Sequence, residues 1–341
     1  MREYINVAVV GATGYIGIEL IKLLIKHPKV KIKNICAQAS IGRSMYKFDS
    51  LLKKKSLPKI TNLANINFDN IDILFTALPN GEAQKISKKL TSKNKLIDLS
   101  ADFRLENPKN YKKWYNVTHK SKNLIKHSIY SIPELIDVKL DKFKIIACPG
   151  CYPTSIQLPL VPLIKKRLIN TNNIVIDSKS GYSGAGKNLF KKFKFKNIYE
   201  SISAYGVSSH KHLAEIDQQL KKISKNKIEV QFTPHLSPMF RGILSTIYVN
   251  LNKNITARKI YKCLKKYYKN KHFIKFAKFN TPIGTGDIMH TNFCKISVCN
   301  DRMKNKAIIL SAIDNLIKGG SGQAMQNMNL LCGFNEQMGF K

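Results

Sequence analysis

The chain has 341 residues, 43 % hydrophobic and 9 % aromatic, which is enough for more than one packed core, so two domains are expected. No run approaches the about 18 uninterrupted apolar residues of a membrane span, and the opening MREYINVAVVGATG enters a strand-like segment with no basic start, apolar core or cleavage site, so neither a membrane helix nor a secretory signal is expected. The formal charge of +37 is carried almost wholly by lysines spread along the whole length, with local clusters at 53–55 and 191–196; this reads as solvated lysine faces rather than a nucleic-acid patch, with a field that would still attract anionic small molecules.

In chain order, Val7–Val10 is a continuous apolar run, as expected of a strand buried on both faces. Ile16, Leu20, Leu23 and Leu24 then fall on one face of a helix that His27-Pro28 ends. Strands are predicted over Val30–Gln38, Ile71–Leu78 and Leu96–Ser100, with a turn at Pro79-Asn80-Gly81. This alternation is the pattern of an α/β, Rossmann-type, doubly wound parallel sheet covering residues 1–150. Beyond it the pattern changes. Ile174–Ser180, Ile228–Thr233, Ser245–Asn250 and Cys294–Cys299 read as longer strands of a second, α+β domain over 151–310. The stretch Ser311–Cys332 reads as two helices broken at Gly319-Gly320.

Between the first strand and the first helix lies VVGATGYIG. Gly11, Gly14 and Gly17, with Ala12, Thr13 and Tyr15 between them, supply a tight turn, a backbone that a pyrophosphate can approach, and the free N–H groups of a helix start. A dinucleotide is therefore expected, although the spacing is G-x-x-G-x-x-G rather than G-x-G-x-x-G. The end of the second strand carries no carboxylate to hold ribose hydroxyls. It has Ser40 and Arg43, which suit a 2′-phosphate and favour NADP(H).

The segment KIIACPGCYPTS contains Cys148-Pro-Gly-Cys151, and the sequence holds seven cysteines, an odd, scattered set that fits a reducing cytoplasm better than a disulfide scaffold. A thioredoxin-like couple would have no use for the dinucleotide loop. A zinc site would need His210 and His212 at tighter spacing than usual, since no second Cys-x-x-Cys exists. The third reading is a single nucleophile. Cys151 follows a buried strand (Phe143–Ala147) and a Pro-Gly turn, and precedes Thr154 and Ser155, which suit helix caps, and the helical run Ile156–Leu168. A thiol at a helix N-terminus faces the positive end of the dipole, which favours the attacking thiolate. Cys148 then packs as a small apolar residue.

Seven strings in order, VAVVGATGYIGIEL, LIDLSADFRL, YSIPEL, PGCYPT, SGYSGAGK, FTPHLSPMFRGILST and DNLIKGGSGQAMQNMN, cover essentially the whole chain. The sequence resembles the N-acetyl-gamma-glutamyl-phosphate reductases, the arginine-pathway relatives of aspartate-semialdehyde dehydrogenase. The resemblance implies that Cys151 accepts the acyl group of N-acetyl-glutamyl 5-phosphate, that phosphate leaves, that NADPH reduces the thioester, and that the semialdehyde is released. It implies further that the second domain is catalytic and dimerising, that the enzyme is a cytoplasmic homo-oligomer (dimer or tetramer), and that helices from about 311 to 341 complete the NADP domain. Ser209-His210-Lys211-His212 resembles the family's His-x-His segment, so His210 and His212 are the acid–base candidates, with the choice between them open. Arg104 in SADFRL and Arg241 in MFRGIL are two of only seven arginines and are the expected anchors for substrate carboxylate or phosphate. Ser183 and Gly184 in SGYSGAGK, and Asn315 with the 319–323 segment, are expected near the cofactor. His235 is expected to be structural. The chain departs from the family at Cys148, where Asn is usual, at Ala214, where Pro is common, and at Asn80, where His often follows Leu-Pro.

Two rivals remain at this level. One is a sister reductase acting on an aspartyl or aminoadipyl phosphate. The other is a basic nucleic-acid-binding protein on a dehydrogenase fold, which the lack of an aromatic–basic module disfavours.

Overall fold

The computed structural model describes residues 4–53, 56–187, 197–224 and 228–340. Most of the lysine clusters at 53–55 and 191–196 lie outside the described residues. The chain divides into two compact units, one formed by Met1–Pro149 with Gly320–Lys341 and the other by Gly150–Gly319.

The first unit is built on a seven-stranded sheet, all of whose pairings are parallel, in the order β3-β2-β1-β4-β5-β7-β6. Its strands are β1 (Ile5–Val10), β2 (Val30–Cys36), β3 (Ile60–Thr61), β4 (Ile73–Thr76), β5 (Lys95–Asp98), β6 (Ser128–Tyr130) and β7 (Ile145–Ala147). The apolar run in β1 serves both faces at once. Val7 and Val9 enter one core with Leu20, Ile21 and Leu24 of the Tyr15–Leu24 helix and with Ala324, Met325 and Met328 of the Gly322–Leu331 helix. Ala8 and Val10 enter the other, with Leu74, Leu96, Ala83 and Ile86. A strand with period 2 inside a two-faced sheet must be apolar at every position, which is why it reads as an unbroken run.

Several strand ends differ by a few residues from the sequence expectation, among them those of β2 and β5. β2 stops at Cys36, and Gln38–Ser40 forms a 3₁₀ turn. β5 stops at Asp98, and the Asp98 and Asp102 carboxylates, at and beyond the strand end, make local bonds. Asp98 Oδ1 accepts from Thr76 Oγ1 (2.7 Å) and from Ser100 N–H (2.9 Å). Asp102 accepts from Gly81 N–H (2.7 Å), Gln84 N–H (3.1 Å) and the Tyr111 hydroxyl (2.6 Å), so it holds the start of the Glu82–Ser87 helix.

The second unit has a mixed sheet in the order β12-β13-β14-β11-β8-β10-β9. Its strands are β8 (Ile174–Gly181), β9 (Ser203–Ala204), β10 (Val230–Ser237), β11 (Ile243–Asn250), β12 (Ile274–Phe276), β13 (Cys294–Asn300) and β14 (Lys306–Ile313). The β8–β10 and β12–β13 pairs are parallel and the others antiparallel. The helix Cys151–Lys165 is buried from Tyr152 to Ile164. It docks on the sheet through a chain of hydroxyls, Ser155 Oγ to Ser245 Oγ and Ser245 Oγ to Ser178 Oγ, each 2.8 Å. Pro162 lies inside the helix and has no N–H for the carbonyl of Leu158 one turn earlier; the Tyr268 hydroxyl donates to that carbonyl at 2.6 Å.

The C-terminal stretch corrects the sequence reading. Residues 311–313 are not helical: they end β14, which pairs with β11 on one side and β13 on the other. The i, i+1, i+4, i+5 spacing of Ala312, Ile313, Leu316 and Ile317 imitates a helical face, and two neighbouring strands outweigh it. Gly319-Gly320 is not a break between two helices. It sits in a π-turn, Ile317–Ser321, that runs into the Gly322–Leu331 helix.

Asp98 is fully buried, and burial together with the nearby Asp102 carboxylate pushes its pKa from 3.8 up to about 6. A carboxyl raised in the folded state binds its proton more tightly there, so stability is lost as pH climbs between these values. Asp98→Asn, which keeps an acceptor for Thr76, is expected to melt at least about 2 °C above wild type at pH 8 and to lose that advantage in acid; a constant difference across thermal melts at several pH values would contradict this.

Candidate active site

In the first unit, Gly11 adopts φ +86°, and a Cβ there would stand 2.2 Å from the Ala77 carbonyl oxygen. A Cβ on Gly17 would stand 2.3 Å from Gly11 O. The chain itself therefore requires both glycines. Gly14 is different: an added Cβ would meet only Gly11 O, at 3.5 Å. Nothing in the described fold forbids a side chain there, so packing does not require this glycine, and its bare backbone leaves the loop open to approach. Gly14 is the N-cap of the Tyr15–Leu24 helix, with no side-chain cap and no acidic residue in the first turn, and the loop is held by Gly11 and Ala12 N–H bonds to Cys36 O (3.0 and 3.2 Å). Backbone N–H groups at the positive end of a helix, behind a cleared glycine, suit a pyrophosphate. Ser40 is buried at the 3₁₀ turn after β2, and Arg43 is exposed after Gly42, whose N–H bonds Ile60 O at 2.8 Å.

Arg104 is nearly buried. Its Nε donates to Cys148 O (2.8 Å) and its Nη2 to Leu99 O (2.9 Å), so the guanidinium ties the ends of β5 and β7 together. Cys148 is fully buried, and burial, then the Asp98 carboxylate, push its thiol up to about 12. Asn327 Nδ2 donates to its sulfur at 3.7 Å. A thiol held protonated in a core is inert.

The second unit begins at Gly150, the N-cap of the Cys151–Lys165 helix, and Cys151 is the first helical residue. The helix thus starts five residues earlier than the sequence suggested. Thr154 and Ser155 do not cap it: their hydroxyls donate to Gly150 O (2.9 Å) and Tyr152 O (3.0 Å). The cap is instead supplied from elsewhere in the unit. The Gly150 N–H donates to Oε2 of the fully buried Glu215 at 2.9 Å, and Glu215 Oε1 lies 4.0 Å from His212 Nε2. The His212 ring lies on the Gly150 backbone so closely that a Cβ on Gly150 would be 2.4 Å from Nε2.

The two candidate histidines occupy the turns before the Leu213–Ser224 helix, and their rings are 4.7 Å apart, edge to face. They have different surroundings. His210 is packed among Tyr152, Tyr205 and Phe232, with ring centroids 5.4, 5.4 and 5.7 Å away. Burial, and then the neighbouring His212, push its pKa down to about 3, so near neutral pH it is an uncharged aromatic. His212 has a carboxylate and the N-cap of the Cys151–Lys165 helix as neighbours. The phenols of Tyr152 and Tyr205 bond each other at 3.0 Å, and burial raises both.

Arg241 Nη1 donates to Oδ2 of the buried Asp314 at 3.2 Å, which neutralises its charge. Asn315 Oδ1 accepts from Gly242 N–H (2.7 Å) and its Nδ2 donates to Ser183 Oγ (3.0 Å), with Gly184 alongside, so the three residues expected near the cofactor lie together. His235 stands apart on β10, its Nδ1 3.1 Å from Asp177 Oδ1. Glu215 and Asp314 lie within or beside recognised strings, but the sequence reading gives neither a role. Neither partnership is local in sequence, and only the fold brings the acid to the cap of Cys151 or to Arg241.

A parallel sheet with a dinucleotide loop, and a mixed-sheet unit presenting a cysteine at a helix mouth beside a histidine, define a semialdehyde dehydrogenase-type oxidoreductase. Residues 6–143 match the semialdehyde dehydrogenase NAD-binding domain and residues 151–315 its dimerisation domain. Aspartate semialdehyde dehydrogenase II of Vibrio cholerae, solved with its ligand, superposes over 97 % of this chain and 99 % of its own (TM-score 0.73, 18 % identity), and the NADP-bound enzyme of Candida albicans over 96 % and 98 % (TM-score 0.67, 18 % identity); both share the fold. A probable chloroplastic N-acetyl-gamma-glutamyl-phosphate reductase of Arabidopsis thaliana is 41 % identical over 98 % of this chain and 84 % of its own length, and the reductase of Campylobacter jejuni subsp. doylei is 41 % identical over 99 % and 98 %. The chain belongs to the N-acetyl-gamma-glutamyl-phosphate reductase family.

A histidine depressed in the fold contributes stability above its unfolded pKa of 6.5 that is lost as pH falls through about 3. His210→Phe is expected to remain folded and to flatten this acid-side loss in melts between those limits, whereas a proton NMR titration of the wild type that showed His210 charging near neutral pH would refute the assignment.

Proposed function

We propose that the protein reduces N-acetyl-L-glutamyl 5-phosphate to N-acetyl-L-glutamate 5-semialdehyde, releasing phosphate, with NADPH as reductant and a thioester on Cys151. The observation that carries the mechanism is the position of Cys151: first residue of a buried helix whose N-cap amide is held by Glu215 and covered by the His212 ring. The identity of about 40 % to reductases of this name over nearly the whole chain supports this substrate over an aspartyl or aminoadipyl phosphate.

The sulfur attacks the acyl carbon and the C–O bond to phosphate breaks. His212 takes the thiol proton and passes it to the departing phosphate; Glu215 stabilises the imidazolium and orients the ring. The oxyanion formed at this step faces the N–H groups of Cys151 and Tyr152, which precede the first intrahelical bond, Thr154 N–H to Gly150 O (3.0 Å). When bound, the nicotinamide cofactor supplies the hydride that reduces the thioester carbon. The same amides hold the second oxyanion, whose collapse breaks the C–S bond and returns the thiolate. His210 supports the site as an apolar wall and His212 is the acid–base. In this reading Arg241 presents substrate with a guanidinium fixed by Asp314, and Arg104 fixes the strand ends that carry the loop to Cys151. Ser183 and Asn315, bonded to each other with Gly184 alongside, are proposed to face the cofactor.

The preference for NADP(H) over NAD(H) rests on the absence of a carboxylate at the end of β2 and on the exposed Arg43. The match of residues 151–315 to a dimerisation domain supports a homo-oligomer, and seven cysteines outside any disulfide support a reducing cytoplasm.

The test is phosphate-dependent NADP reduction with N-acetyl-glutamate semialdehyde. Cys151→Ser should abolish turnover and Cys148→Ser should retain most of it; activity surviving the first change would refute the nucleophile, and faster turnover with another semialdehyde would move the substrate assignment. Arg43→Ala should raise KM for NADP by about tenfold or more while leaving NAD kinetics nearly unchanged, since a charged hydrogen bond to phosphate contributes roughly 1.5–3 kcal/mol; equal effects on both cofactors would remove Arg43 from the phosphate site.

A further inference from the structure

We infer that Gly319 is a positioning residue for the Cys151 nucleophile: the π-turn after β14 presses its bare Cα against the cysteine, and the missing side chain sets where the sulfur can stand. The inference rests on the reading of Cys151 as acyl acceptor.

A Cβ built on Gly319 would lie 2.6 Å from Cys151 Cβ, 3.1 Å from Cys151 Cα and 3.3 Å from Ile313 Cδ1. Carbon atoms pack best at about 3.5–4.0 Å, so a single methyl would demand a displacement of roughly 1 Å. The requirement is one of space. Gly319 is not among the glycines held at positive φ, so its backbone is open to other residues. Rotation about the Cys151 Cα–Cβ bond gives no relief, because it moves the sulfur and leaves Cβ in place.

Neither side can easily retreat. On the turn side, Gly319 N–H donates to Asp314 O at 2.9 Å, five residues back. The Asp314 carboxylate holds the same turn through Leu316 N–H (2.9 Å) and Ile317 N–H (3.2 Å) at Oδ1, and it is itself held through Arg241 Nη1 (3.2 Å) and His290 N–H (2.8 Å) at Oδ2. On the helix side, Gly150 N–H is fixed by the buried Glu215. The π-turn inserts one extra residue per turn, and such insertions recur at functional sites. Here it brings residue 319 onto the nucleophile.

The test compares the full chain with Gly319→Ala, Gly286→Ala as a control in open space, and the pair Cys151→Gly and Cys151→Gly/Gly319→Ala. Gly319→Ala should lower kcat about 100-fold with KM within about threefold, the loss expected of a roughly 1 Å misplacement. It should also change the rate of Cys151 alkylation by iodoacetamide at least about tenfold, since the sulfur moves relative to His212 and the helix amides. Gly286→Ala should match wild type. In thermal melts, the cost of Gly319→Ala should shrink in the Cys151→Gly background, where the clashing carbon is gone. A folded Gly319→Ala enzyme with kcat and alkylation rate within about threefold of wild type would overturn the inference. If Gly319→Ala is too unstable to assay, strictly additive melting losses in the double variant would overturn it equally. Full turnover by Cys151→Ser would instead remove the nucleophile reading itself, leaving the melting comparison to judge the contact alone.

Discussion

The bond from the Gly150 amide to the Glu215 carboxylate is the constraint on which the site depends. A helix start leaves amides without intrahelical partners, and here no side chain of the first turn satisfies the N-cap. A fully buried carboxylate does so instead, from the Leu213–Ser224 helix. One bond therefore fixes the helix that begins with Cys151, places the segment carrying His212 against it, and gives a buried charge the partner it needs. A hydrogen bond to a charged group contributes about 1.5–3 kcal/mol, and leaving either partner unsatisfied costs more than the bond itself supplies. Glu215 thus links stability to geometry at Cys151.

The same economy recurs with Asp314. It binds two amides of its own turn, an amide of the loop before β13 and the Arg241 guanidinium. Arg241 is thereby held rigid and electrically balanced. A guanidinium paired with a buried carboxylate is a preorganised dipole rather than a bare charge. The two histidines illustrate the opposite use of burial. His210 is walled by aromatics and kept neutral, while His212, two residues on, lies next to a carboxylate. Identical side chains acquire different chemistry from their surroundings.

Cys148 and Cys151 make the same contrast. Cys148 is locked in a hydrophobic core with its proton held tightly, and Cys151, three residues later, opens a helix. Thiol–disulfide exchange needs access to sulfur, and Cys148 is fully buried with its proton held. The Cys-x-x-Cys spacing is thus an accident of two residues with unrelated duties.

Much of this was legible in the residues themselves. The unbroken apolar run of β1, the glycines at 11, 14 and 17, and the Pro-Gly-Cys turn follow local rules, since a buried strand, a tight turn and a helix start each impose composition within a few positions. The helix-like spacing of 312–317 misled because ladder bonds from β11 and β13 outweigh local periodicity. The different surroundings of His210 and His212, the pairing of Arg241 with Asp314, the hold of Glu215 on Gly150 and the closeness of Gly319 to Cys151 join residues far apart in the chain or depend on which wall a side chain meets. Proximity of that kind, and the desolvation that comes with it, exist only once the chain has folded, so tertiary structure alone decided them.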